Sequence, residues 1–453
     1  MLLRNATAIM TGLPGDEARA AGRDLRIDPN GRIEAIGMLA PGAGEQVVDA
    51  TDCVVYPGWV NTHHHLAQSV LKGVPAGINL PLLGWLDAVP YRYRHRFDAE
   101  LLAIAAEVGL TELMLSGCTT TADHHYVYWP GMAYDPAQLY FDLTARLGIR
   151  FVLCRGGATV KRAFESDDPN ALQPETLDAI VGDVERLVGA YHDPGPEAMR
   201  RIVLAPATPT WSLRPEELKP AVRAARRLGI RTHSHLSETA DYVAFCREQH
   251  ARRPVEFMAE HEWLGADVWF AHMVHLSESE VRLVAETGTG IAHCPASNCR
   301  LGSGVAPVPE LARAGAPVSI GVDGAASNES ADFISEAHIC WYTHRAVKGA
   351  AAVTVEDVIH WGTRGGARVL GIDNIGTLEV GRAADLAVYS LDQPRYAGLH
   401  DPAIGPVASS GRPRLRLLTV QGRVVVENDA IPGQDLPRLL ARAREAVRKL
   451  SDG

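Results

Sequence analysis

The chain has 453 residues, 46% hydrophobic and 22% charged, with 54 acidic against 44 basic side chains and a net charge of −10. That balance argues against a phosphate-backbone binder, which needs a basic stripe, and no apolar run approaches the roughly 18 residues of a membrane span. The opening MLLRNATAIMTG is too short an apolar run for a signal peptide, so a cytoplasmic protein with no nucleic-acid or membrane partner is expected.

Residues 1–57 read as short strands between turns, with Pro29-Asn30-Gly31 as a hairpin signal between alternating segments. Residues 58–372 carry a different pattern. Apolar strand-like runs, CVVYPGWV (53–60), TTTA (119–122), RFVLC (150–154), RIVLA (201–205), RTHSH (231–235), VWFAH (268–272), GIAH (290–293) and VSIGV (318–322), alternate with helical patterns. Helical stretches such as AELLAIAAEVGLTELMLSG stop at Gly. Eight such units predict an α/β fold, a (β/α)8 TIM barrel. Residues 373–432 return to strands, in ADLAVYSLD and RLRLLTVQGRVVVEND, so both chain termini are expected to build one small β-sandwich domain. Residues 433–453 predict a C-terminal helix. The seven cysteines are scattered and never spaced CxxC, which suits core or loop positions in a reducing compartment rather than disulfides or zinc knuckles.

Barrel enzymes place their chemistry at the C-terminal ends of the strands. Here those ends carry His63 and His65, Asp123, Arg155, Thr208, His235 with Glu238, His272, His293 and Asp323. In Asn61-Thr62-His63-His64-His65, alternation puts His63 and His65 on one face and His64 on the other. Two imidazoles on one face can bind a single divalent metal. His233-Ser234-His235 offers a further ligand, although spacing leaves both histidines open. Glu238, three residues on, is a carboxylate able to move a proton from water to a leaving group. Asp323 at the eighth strand end can reach the same metal, whereas an isolated Asp-Gly pair is usually a turn.

The motifs NTHHHL, HSHLSET, AHMVHL, AHCPASN and GVDGAASN together resemble the mononuclear-zinc aminohydrolases of the amidohydrolase superfamily. The resemblance covers essentially the whole chain, and GTLEVGRAADLAVYSLD matches that superfamily's return into its β-sandwich. NTHHHLAQSVLKGVPAG, PYRYRHRF, FVLCRGGAT, EHEWLGADVWFAH and GLHDPAIGPVASSGRP look most like its deaminases of isoxanthopterin, and next those of 8-oxoguanine. It implies that His63, His65, His235 and Asp323 bind one divalent ion, with Glu238 as proton shuttle. His272 would hold the ion's water and polarise the reacting centre, and Asp323 would help orient that water and take its proton. The fourth strand, RIVLAPATPTW, lacks the bridging Lys or Glu of binuclear relatives, so one ion is expected. Met273 stands where many relatives carry Cys. Zinc is the default for this ligand set and Fe2+ the alternative.

Arg155 presents a fork of donors suited to a carbonyl or enolate oxygen, its other reading being a salt bridge at the barrel rim. Gln68 can pair with the amide edge of a purine or pterin, and Trp85, Tyr128 and Trp211 lie on loops that could stack on a flat ring. The expected activity is hydrolytic deamination of a fused heterocycle, first a pterin such as isoxanthopterin, releasing ammonia. The alternatives are an 8-oxoguanine or guanine-like purine deaminase, and a triazine or cyclic-amide hydrolase of the same fold. The HxE and PCxxC pattern of cytidine deaminases is absent. A metal-binding protein without catalysis would leave Glu238 and His272 with no task. The expected partner is thus a small heterocyclic substrate, and a homo-oligomer is compatible with this class.

Overall fold

The computed structural model describes residues 1–166 and 168–452. Eight parallel strands follow one another in chain order around the molecule: β1 Trp59–Asn61, β2 Cys118–His125, β3 Arg150–Arg155, β4 Arg200–Leu204, β5 Thr232–Leu236, β6 Val268–His272, β7 Gly290–His293 and β8 Val318–Ile320. The first and last meet at a parallel bridge between His64 and Asp323, where Asp323 N donates to His63 O at 3.0 Å and Thr62 N to Ile320 O at 3.2 Å. The sheet therefore closes as a (β/α)8 barrel. Six of its strands are buried along their whole length, as parallel strands covered by helices must be.

The 53–60 run does not form one strand. Gly58 N donates to Asp385 O at 2.9 Å and Trp59 N to Gly117 O at 3.0 Å, so the backbone changes partner at this point. Cys53–Pro57 pairs antiparallel with Leu386–Ser390, and only Trp59–Asn61 enters the barrel. The periodicity is continuous across Gly58 because both halves are fully buried, each in its own core.

Strands from both termini share the small domain. One sheet holds Ala8–Ile9 and Cys53–Pro57 beside Leu386–Ser390, Arg414–Val420 and Arg423–Glu427. The other holds four N-terminal strands, and Leu3, Ile9, Leu25, Val55, Val388 and Leu417 fill the space between the two sheets. The Asp24–Ile27 and Ile33–Gly37 hairpin turns at Pro29-Asn30-Gly31, where the Asp28 carboxylate accepts from Asn30 N and Arg32 N. Gly31 has φ +77°, and a Cβ there would meet Gln421 O at 1.9 Å, so the turn needs glycine twice over. Arg150 at the foot of β3, with no exposed surface, reaches across to Asp385 of the small domain and to Thr120. The C-terminal helix Leu436–Asp452 packs on Ala99–Leu115 through buried Ala446 and Leu450. Six of the seven cysteines are buried and all are free. No helix among the described residues is long and apolar enough to cross a membrane.

Candidate metal centre and active site

His63, His65, His235 and Asp323 converge at the C-terminal mouth of the barrel, each offering one ligand atom within 4.8 Å of the others. Each histidine is held by its Nδ1. His65 Nδ1 faces His124 O at 2.7 Å and His235 Nδ1 faces Ala207 O, both acceptors, so these nitrogens carry the hydrogen and turn Nε2 lone pairs inward. His63 reaches the same state by relay. His233 Nδ1 donates to Trp269 O at 3.1 Å, leaving His233 Nε2 to accept from His63 Nδ1 at 2.8 Å. His235 is therefore the inward ligand, and His233 lies beneath it in the barrel interior, stacked on Trp269.

Burial pushes His65 down to about 4 and lowers His63 and His235 too, so all three are neutral imidazoles at neutral pH. His65 Nε2 stands 3.3 Å from His235 Nε2, and Asp323 Oδ1 stands 3.3 Å from Nε2 of both His63 and His65. Lone pairs face lone pairs, and buried His63 Nε2 has no hydrogen-bond partner. Such a cluster of three nitrogens and one carboxylate oxygen fits a divalent cation, and zinc takes this donor set. The other carboxylate oxygen, Asp323 Oδ2, accepts from Ser297 Oγ at 2.5 Å and Ser327 Oγ at 3.1 Å.

Glu238 and His272 stand beside this cluster, with Glu238 Oε2 3.6 Å from His272 Nε2. Glu238 Oε1 is buried without a partner, and burial, then the Asp323 charge, raises its carboxyl well above the usual range. Asn298 Nδ2 donates to His272 Nδ1 at 3.0 Å, which leaves His272 Nε2–H as a donor toward the chamber. Asn298, from AHCPASN, was not singled out from sequence, where its motif served only as part of the resemblance. Ser237, His272, Met273 and Asp323 all have φ between +46° and +74°. Non-glycine residues held there are strained, and such strain gathers at functional sites.

Gln68, Trp85, Thr208 and Trp211 line the same chamber. Gln68 Nε2 donates to Tyr126 Oη at 3.1 Å, while its Oε1 is buried and unpaired. A Cβ on Gly324 would sit 1.9 Å from that oxygen, so Gly324 makes room for the amide. Trp85 and Trp211 sit on short helical turns, Leu82–Leu86 and Pro209–Ser212, rather than on loops.

Arg155 and Tyr128 are corrections. The Arg155 guanidinium is clamped by both oxygens of Glu175 at 2.7 Å and by Asp183 at 2.9 Å, and lies over the Tyr128 ring at 3.9 Å. Both residues line a separate cleft away from the metal ligands, and Tyr128 also borders a cavity that shares Tyr91, Tyr126 and Arg162 with the chamber. A buried guanidinium must be neutralised, and these carboxylates do so on the outer side of β3. His293 also turns away, its Nε2 3.1 Å from His344 Nε2 with Cys340 near by. Asp123 lies on the other face of β2 from His124, which packs against the ligand histidines, and accepts from Leu66 N at 2.6 Å. Tyr91, Tyr126 and Arg162 line the chamber instead. Tyr126 follows TADHH directly and was legible there; Arg162 sits on the long loop after β3, where no periodicity marks it.

Residues 54–425 match the amidohydrolase family. The chain belongs to that family. It is a hydrolase of carbon–nitrogen bonds, in a family that depends on metal. It is 55% identical to an isoxanthopterin deaminase of an unknown prokaryotic organism, over 99% of this chain and 97% of the relative. It is 39% identical to an 8-oxoguanine deaminase of Pseudomonas aeruginosa PAO1, over 100% and 99% of the two chains. Among solved structures, an amidohydrolase from a Sargasso Sea environmental sample superposes with TM-score 0.88 at 52% identity, covering 100% of this chain and 98% of that one. Atrazine chlorohydrolase from Arthrobacter aurescens TC1, complexed with zinc, superposes with TM-score 0.90 at 29% identity, covering 98% and 99%.

Proposed function

We propose that this hydrolase removes the 2-amino group of an oxidised pterin, isoxanthopterin first, giving the 2-oxo compound and ammonia. One divalent ion, zinc by its donor set, belongs at His63, His65, His235 and Asp323. The observation that carries deamination is Glu238: a buried carboxyl with one oxygen unpartnered and a raised pKa, beside three neutral histidine ligands and the Asp323 carboxylate and facing the same chamber. The pterin rests on 55% identity along nearly the whole chain to an isoxanthopterin deaminase.

The ion, when bound, supplies Lewis acidity that brings the pKa of water down to about 7. The residues do the rest. His272 Nε2–H aims the attacking water and then donates to the oxygen on the tetrahedral carbon. Asp323, steadied by the Ser297 and Ser327 hydroxyls, takes the water's proton. Glu238 delivers its proton to the ring nitrogen next to the amino-bearing carbon as the C–O bond forms. The C–N bond then breaks, the proton on Asp323 leaves with the amine as ammonia, and Glu238 recovers a proton from the new hydroxyl as it becomes a carbonyl. Gln68 and the two tryptophans orient and cover the ring.

The 39% identity to 8-oxoguanine deaminase favours a purine as the second reading. Ammonia release, measured as kcat/KM for isoxanthopterin and 8-oxoguanine, decides between them. A preference of about tenfold or more for 8-oxoguanine moves the assignment to the purine, since lost ring contacts cost about that much.

A further inference from the structure

We propose that Arg162 is the specificity determinant of the chamber, reading a lactam or enolate oxygen on the ring remote from the amino group. The inference rests on the deaminase reading and adds to it the chemistry of the substrate's far edge. Arg162 lines the chamber together with His235 and Glu238, and its guanidinium carbon lies 4.5 Å over the Trp211 ring. One end, Nη2, donates to Thr208 Oγ1 at 3.0 Å, which fixes the fork without neutralising it. Its buried Nε has no partner. Among the described residues no carboxylate pairs with this guanidinium, in contrast to Arg155 with its two.

The nearest carboxylate along the loop is already committed. Glu165 accepts from the Arg162 backbone N at 2.9 Å through one oxygen, and pairs with buried Arg94 through the other. The loop thus holds a cation in place and withholds its counter-ion. A second cavity adjoins the chamber across Tyr91, Tyr126 and Arg162, and Lys161 and Arg94 line it as well. Arg94 is balanced by Glu165, which lines the same cavity, so Arg162 and Lys161 leave the far side of the chamber positive. A planar fork with unused donors, stacked on an indole, fits an oxygen in the ring plane that can carry negative charge. The 7-oxo group of isoxanthopterin and the 8-oxo group of 8-oxoguanine both have this chemistry; pterin and guanine lack it.

The test compares members of each pair, isoxanthopterin with pterin and 8-oxoguanine with guanine, in wild type, Arg162→Met and Arg162→Lys. In wild type the oxo member is preferred; in Arg162→Met that preference falls by about tenfold to a hundredfold, the range of one charge-assisted contact. The change falls on KM more than on kcat, and Arg162→Lys, which keeps charge but not the fork, lies between. Using both pairs separates the two claims: turnover of purines alone ends the pterin reading yet still judges Arg162. Trp fluorescence quenching in Glu238→Gln protein reads binding of the same four compounds without turnover. An oxo preference unchanged by Arg162→Met, equal losses on both members of a pair, or no binding of either oxo compound overturns the proposal.

Discussion

His233 offers the sharpest test of how the metal ligands are prepared, because it touches no metal itself. Trp269 O fixes His233 as the Nδ1–H tautomer, and His233 Nε2 then fixes His63 as the same tautomer. In His233→Leu the His63 Nδ1–H, fully buried, loses its only acceptor. An unsatisfied buried donor costs about 1–3 kcal/mol, and nothing then prevents the ring from turning its hydrogen toward the metal. Loss of such a supporting contact typically weakens metal affinity about 10- to 100-fold. His233→Gln can place an amide oxygen near the same point, and should recover part of the loss. The assay is competition with a chromogenic zinc chelator on wild type and both variants, with circular dichroism to confirm folding. Activity of His233→Leu should return when zinc is supplied in excess. Equal zinc affinity in wild type and His233→Leu would refute the relay.

Glu238→Gln should keep its metal but lose about 10²–10⁴-fold in kcat, the usual worth of general acid–base transfer, as read by ammonia release and elemental analysis on one preparation. Arg150→Met strands the buried Asp385 carboxylate between barrel and small domain and should cost about 3–5 kcal/mol in chemical denaturation. A loss under about 1 kcal/mol would mean the pair adds nothing over apolar packing. Burial raises the Asp123 carboxyl to about 7. Between pH 4 and 7 the folded chain then holds a proton that the unfolded chain releases, so this group's contribution is full below the unfolded pKa of about 4 and is lost as pH rises through 7, at up to about 1.4 kcal/mol per pH unit. Asp123→Asn should flatten that slope in urea titrations across the range; an unchanged slope means that Asp123 ionises normally in the fold.

Much of the metal centre is local, and local chemistry is readable in a sequence. Strand alternation is enough to put His63 and His65 on one face and His64 on the other, and His64 Nδ1 is indeed turned to the Asp323 backbone carbonyl instead. The eight apolar runs and the strand-rich ends likewise follow from periodicity. One run misled. CVVYPGWV reads as a single strand because burial is continuous, and only the hydrogen-bond partners on either side of Gly58 reveal two sheets.

What the sequence by itself determined was the barrel, the terminal β-domain and the inward histidines, because each depends on side-chain spacing along one element. Spacing left His233 and His235 open and the resemblance named His235; tertiary structure supplies the physical reason, through the Ala207 carbonyl just beyond β4 and the Trp269 carbonyl in β6. It alone exchanged Arg155 for Arg162. An arginine's role depends on which carboxylates reach it, and those that hold Arg155 lie 20 and 28 residues away, on a loop and a helix whose approach no local pattern encodes.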